Sequence, residues 1–178
     1  MPRSFFGNLD RLLRSTPRGG AIVEFGLVLP FLVALAVGLF DLGLGLWQKM
    51  QIQAAAEVGA QYAAQHPDPW DAAKVAAIAT AVTSATGASG SSACPPPAGK
   101  ISACPAPSQV CGCTSSNAFT LVGAPTEGSC SGIACPGGTT AGLYASVSAQ
   151  MPYSPLVTWP WASDAPAALI AKAYRRLK

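Results

Sequence analysis

The sequence predicts an α+β chain: a long N-terminal helix that crosses a membrane and continues as a stalk, a second short helix, and a small antiparallel sheet domain with disulfides. Three observations predict it. Residues 25–47 hold one ionisable side chain, Asp41, in 23 positions. As a helix rising about 1.5 Å per residue they would span about 34 Å, enough for a hydrocarbon core of about 30 Å. All six cysteines follow that run. Beyond most of the chain's loops, Leu143-Tyr144-Ala145-Ser146-Val147-Ser148-Ala149 alternates like a strand with one buried face.

A chain of 178 residues has room for one membrane helix and one small soluble domain. The net charge of +3 is a matter of location. Arg3, Arg11, Arg14 and Arg18 against Asp10 place it all in the first 19 residues, and the remaining seven basic and seven acidic residues balance. That is a topology signal and not a nucleic-acid surface. Four arginines before the helix against Lys49 just after it predict the N-terminus inside and the C-terminus outside.

Residues 1–19 read as a basic leader, either disordered or forming a weak amphipathic turn on the membrane through Phe5, Phe6, Leu9, Leu12 and Leu13. Thr16-Pro17-Arg18-Gly19-Gly20 supplies helix breakers. An ordinary secretory signal places its small-residue cleavage site after the apolar run; here the glycine pair precedes it, so cleavage would leave the helix on the product.

One helix is expected over residues 21–65, kinked at Pro30, which removes the hydrogen bond to the Gly26 carbonyl. At about 100° per residue, Ala34, Gly38, Asp41, Gly45, Ile52, Ala56, Gly59 and Ala63 fall on one narrow stripe. Small residues let helix backbones approach closely in lipid, and an intramembrane carboxylate costs about 2.5–3.5 kcal/mol at mid-bilayer. The stripe therefore reads as a packing face for neighbouring helices, with Asp41 directed at a protein neighbour or, alternatively, reaching water at the outer interface. Trp47 is an interfacial anchor.

The Ala-rich stalk ends at His66-Pro67-Asp68-Pro69. Asp68 or Asp71 can cap a second helix, residues 69–86, whose apolar side is Trp70, Ala73, Ala77, Ile78 and Val82. Residues 87–99 form a Ser, Gly, Ala and Pro linker within a Cys-rich loop region, 87–138. Extended pieces are expected at Lys100-Ile101-Ser102, at Phe119-Thr120-Leu121-Val122 and at residues 143–149. Residues 151–166 are a Pro and aromatic loop, and residues 167–177 suit helix or strand by pattern alone. The resulting division is a leader (1–19), a transmembrane and stalk helix (20–66) and an α+β domain (67–178).

The run Gly19-Gly20-Ala21-Ile22-Val23-Glu24-Phe25-Gly26-Leu27-Val28-Leu29-Pro30 resembles the N-terminal signature of TadE-like minor pilins, the pseudopilins of the tight-adherence (Flp, type IVb) pilus system. The likeness extends to Phe40-Asp41-Leu42-Gly43, to residues 54–64, and to residues 144–155 and 167–176, but not to the cysteine-rich middle. The resemblance implies trimming by a prepilin peptidase between Gly19 and Gly20. It also implies a final strand over 167–177 paired with 143–150, and assembly of an adhesive pilus.

Cut there, the chain would carry Glu24 as its fifth residue, one helical turn from the new α-amine and on the same face. A carboxylate at a membrane edge needs a cation, and that amine, of its own or a neighbouring chain, supplies one. In the pilins it resembles this glutamate guides entry into the fibre. The plainer alternative is an interfacial Glu near a helix start, favoured by the helix dipole.

Cys94, Cys104, Cys111, Cys113, Cys130 and Cys135, all on the translocated side, suit disulfides in an oxidising compartment. Their connectivity stays open, except that Cys111 and Cys113 are expected to reach different partners. The absence of a Cys-x-x-Cys pair and the single His66 argue against a metal site and a Cys/His or Ser/His/Asp centre. Residues Gly137-Gly138 read as a turn.

The function expected is that of a non-enzymatic minor pilin without cofactor, single-pass in a bacterial inner membrane, N-terminus cytoplasmic and C-terminus periplasmic, and entering an extracellular pilus. Its partners would be a prepilin peptidase, other pilin and minor pilin subunits, inner-membrane pilus assembly proteins and membrane lipid, with no nucleic acid. The alternative is an untrimmed, membrane-anchored periplasmic binding or adaptor domain.

Overall fold

The computed structural model describes residues 20–66, 69–115, 118–153 and 168–177. The leader with Gly19, the pair Pro67-Asp68 and most of the Pro and aromatic loop lie outside the described residues. The described residues fall into two compact units, divided between Gly43 and Leu44.

Helix α1 spans Gly20–Gln65 and is continuous through Pro30. Proline at that position forfeits the bond to the Gly26 carbonyl, where no side chain crowds its ring. The helix stops at His66. Its Nδ1 donates to the Tyr62 carbonyl over 2.9 Å and its backbone N–H donates to the same oxygen over 3.2 Å. The imidazole stacks on Tyr62 with ring centroids 4.0 Å apart. One of the orphan carbonyls at the helix end is thereby satisfied twice by the residue that leaves it.

Helix α2, Ala72–Ser84, starts at Asp71, whose side chain accepts from the Lys74 backbone N–H at 2.8 Å from extended backbone. Of the two aspartates considered as caps, Asp71 fills the role. Its buried stripe differs from the expected one: Lys74, Ile78 and Val82 are buried, Trp70 and Ala77 are half-buried, and Ala73 is exposed. The displacement has a physical cause in Lys74. Its ammonium donates to the His66 carbonyl and lies 5.8 Å from the centroid of the Trp70 ring, so its stem can be buried while the charge keeps partners.

The rest is sheet. Strands β1 (Ser89–Gly90) and β2 (Lys100–Ile101) form a short parallel pair, so the segment expected to be only a linker contributes a strand. Strands β3 (Ser108–Ser115), β4 (Ala118–Gly123), β5 (Gly142–Pro152) and β6 (Ala168–Arg176) form an antiparallel sheet in the order β4-β3-β5-β6. β6 pairs with β5 from Tyr144↔Arg176 to Pro152↔Ala168, the strand pairing that the resemblance implied. β3, an inner strand, was not anticipated.

In the compact unit 44–178, the C-terminal half of α1 lies on one face of the sheet. Ile52, Ala55, Ala56, Ala60 and Ala63 meet Ile78 and Val82 of α2, Ile101, and Ala145, Val147, Ala149 and Met151 of β5. Each fully buried Ile or Val side chain here contributes about 1.5–3 kcal/mol. The alternation expected for β5 holds for its core face, but Tyr144 and Ser148 of the opposite face are buried too. Phe119 packs edge-on against Tyr144 with centroids 4.8 Å apart, which covers that residue.

All six cysteines are paired, as Cys94–Cys104, Cys111–Cys130 and Cys113–Cys135. Cys111 and Cys113 are two apart on β3, so both project from the same face. They tie residues 124–141, a succession of turns, to the sheet. In that loop Gly137 and Gly138 have φ of 107° and 82° and Gly138 N–H donates to Cys135, which makes the expected turn.

Candidate functional site

Gly20 is the first described residue of α1. Glu24 follows four residues later, on the same face, and is exposed. Around it Ile22, Phe25, Leu27 and Phe31 are 60–75% exposed. An unburied apolar surface of this kind is unstable in water and is what a membrane-crossing helix presents to lipid. α1 is long and apolar enough to cross a membrane, and none of its most apolar 18-residue window is buried.

The predicted small-residue stripe is divided by the fold. Ala34 and Gly38 are exposed, and a methyl placed on Gly38 would meet nothing within 4 Å. Asp41 is half-buried. At Gly45 the same methyl would lie 3.5 Å from Cε2, Cζ and Oη of Tyr153, so a tyrosine ring lies across the glycine. Ile52, Ala56, Gly59 and Ala63 are fully engaged by the chain itself. A methyl on Gly59 would lie 2.5 Å from Val82 Cγ2 and 2.9 Å from Val147 Cγ1. The expectation that Ala56 and Gly59 face other subunits is thus corrected: α2 and β5 occupy that part of the stripe. Helical periodicity finds a face where backbones come close, but it is blind to whether the neighbour is another chain or the same one.

A cleft of about 430 Å³ was not anticipated. It is lined by Ala63, His66, Trp70, Lys74, Gln109 and Glu127, among others. Its two most chemically versatile groups are spent locally, His66 on Tyr62 and Lys74 on the His66 carbonyl. That arrangement ties α2 to the end of α1. Among the described residues no three His, Cys, Asp or Glu side chains come together as a metal group.

The family model described as TadE-like protein matches residues 19–61. Over that segment the chain is similar to TadE-like proteins. The TadE-like segment takes in Gly20, Glu24, Asp41 and Gly59 and ends inside α1, ahead of Gln65. It does not include residues 144–155 or 167–176, the other segments in which a resemblance was drawn. No match is found among curated proteins or among solved structures. The match covers most of α1 and none of the disulfide-bearing sheet domain.

Proposed function

We propose that this chain is a non-enzymatic minor pilin of a tight-adherence (type IVb) pilus, trimmed by a prepilin peptidase between Gly19 and Gly20 and assembled by helix packing into an adhesive fibre. The observation that supports the reading is the TadE-like match over a helix that is described from Gly20 and continues unbroken beyond the matched segment. Trimmed there, the chain would carry its new α-amine on Gly20. Glu24 then stands one turn away with its carboxylate outward, where the amine of its own or an adjacent subunit can neutralise it at the membrane edge.

In this reading the four leader arginines hold the N-terminus in the cytoplasm, and the domain with its three disulfides folds in the oxidising periplasm. Ala34, Gly38 and Asp41 meet other pilin helices inside the bilayer. The peptidase, the other subunits and the inner-membrane assembly proteins are the partners. The division into leader, helix and domain follows the same logic, with the second half of the helix serving as the domain's own core.

Intact-mass measurement of the chain extracted from membranes tests this. The expected product starts at Gly20, and Gly19 replaced by a bulky residue should remain untrimmed. A wild-type product that keeps residues 1–19 in cells with an active peptidase would mean an untrimmed membrane-anchored adaptor instead.

A further inference from the structure

The antiparallel sheet has two edges, and one of them is protected. In the order β4-β3-β5-β6 the outer strands are β4 and β6. β6 carries Lys172 and Arg175, both exposed, and charges of this kind keep a sheet edge from pairing with another strand. β4 has no such device. Its six residues, Ala118–Gly123, include neither a charge nor a proline, and residues 101–126 as a whole hold no charged side chain. Thr120, Leu121 and Val122 are exposed, and among the described residues no strand pairs with the outer edge of β4. The register passes from Gly112↔Leu121 to Cys111↔Gly123, which leaves Val122 as the extra residue and Ala118 to Leu121 as the regular edge.

The connection from β5 to β6 is too short to cover this edge. Its 14 residues, 154–167, leave and rejoin the sheet beside the pair Pro152↔Ala168. Tethered at both ends, they reach at most about 25 Å at about 3.5 Å per residue. Leu121 is paired through Gly112 to the level of Gly142, ten residues from Pro152 along β5 and so about 33 Å away. β4 is also two strands across from β5. Residues 1–19 are absent from the chain once it is trimmed, and on this point alone the inference rests on the proposed function.

We propose that β4 pairs with β4 of a second copy of this chain, antiparallel about a two-fold axis at Thr120, joining the two sheets into one. Two residues connect β3 to β4, which makes Ser115↔Ala118 a hydrogen-bonded pair; alternation then turns the backbone N–H and C=O of Phe119 and Leu121 outward. An axis at Thr120 sets Phe119 of each copy against Leu121 of the other as hydrogen-bonded pairs. Thr120 then faces Thr120 at a position without backbone bonds. Aromatic and Thr–Thr pairs of this kind stabilise antiparallel strands. Charge selects the second copy as the occupant. β4 against β4 brings no like charges together, β6 against β6 would oppose cations, and an acidic strand would be drawn to β6.

The test measures self-association of the full chain in detergent micelles by sedimentation, with intact mass recording whether residues 1–19 are present. The wild type should dimerise reversibly. Leu121→Lys should weaken the dimer by about tenfold, because both copies lose a Phe119 to Leu121 pair and gain a charge at the edge. Ile170→Lys, which adds the same charge at an exposed position of β6, should leave it unchanged. Opposed Cα atoms at a position without backbone bonds are about 4.5 Å apart, within disulfide range, so Thr120→Cys should yield a covalent dimer on mild oxidation and Lys172→Cys should not. That second measurement decides the matter should Leu121→Lys fail to fold. A wild-type monomer without residues 1–19, a dimer equally tight in both lysine variants, or cross-linking at position 172 and not at 120 would overturn the pairing.

Discussion

Replacing Gly59 with alanine is the sharpest probe of how α1 is used. The added methyl would lie 2.5 Å from Val82 Cγ2, 2.9 Å from Val147 Cγ1 and 3.5 Å from Ile78 Cγ2. Carbon atoms pack best at about 3.5–4.0 Å, so two of the three neighbours must retreat by roughly 0.6–1 Å. Both are valines, stiff at χ1, and they sit on different elements, α2 and β5, so neither can yield by a simple rotation. Overpacking of this kind costs about 1–3 kcal/mol, whereas glycine to alanine within a helix gains up to about 1 kcal/mol. The net expectation is a loss of about 1 kcal/mol, or about 2–6 °C in the unfolding midpoint for a unit of this size. Gly43→Ala is the control, because a methyl there meets nothing within 4 Å and should keep the helix gain. The assay is thermal unfolding of the full chain in detergent micelles, followed by near-ultraviolet circular dichroism, which reports aromatic packing. Should Gly59→Ala unfold at or above the midpoint of Gly43→Ala, the close approach of α1 to the sheet would be refuted.

Three further outcomes are expected. Gly38→Leu should leave insertion and the unfolding midpoint unchanged, since among the described residues nothing beyond the local helix backbone lies within 4 Å of the added Cβ, but should abolish pilus-dependent adhesion; normal adhesion would remove that position from the assembly face. Asp71→Ala should lower stability by about 1 kcal/mol through loss of the acceptor for the Lys74 N–H, with Asp71→Asn close to wild type, both read from the same melts. The pair Cys113→Ser and Cys135→Ser, which opens a link across a sequence separation of 22, should lower stability by about 3 kcal/mol on chain-entropy grounds, and hydrogen exchange should accelerate chiefly within residues 124–141.

What could be read from the sequence was what a single period or a single cap decides. The apolar run, the Asp71 cap and the alternating face of β5 each carry their signal within one stretch of chain. β3 carries none. Its Ser108-Gln109-Val110-Cys111-Gly112-Cys113 has one β-branched residue and a glycine where an inner strand ordinarily packs a side chain. Its support comes from elsewhere: the Phe119 ring covers Gly112, and two disulfides hold the opposite face. Strand β1 was hidden for the same reason, as Ser89-Gly90 lies against Thr83 of α2 and pairs with residues eleven positions away. Lys74 shows the converse error. A lysine is read as exposed by type, and only the carbonyl and the indole waiting at the helix junction make its burial tolerable.

The stripe on α1 bears on where assembly contacts can form. Small residues permit close approach, and α1 uses them twice. From Ile52 to Ala63 they let the helix sink against its own sheet, and at Gly45 the space is taken by Tyr153. What is left of the stripe for the proposed contact with another subunit is Ala34 and Gly38, both exposed and within the stretch that the hydrocarbon would cover. In that medium helices gain little from burying apolar surface and associate largely through close packing, so under the proposed function a short small-residue patch serves as a contact there that would be a poor one in water. Engineered cysteines at positions 34 and 38 should therefore cross-link to neighbouring subunits. At positions 56 and 59 the chain's own α2 and β5 stand in the way, and no intersubunit product should form.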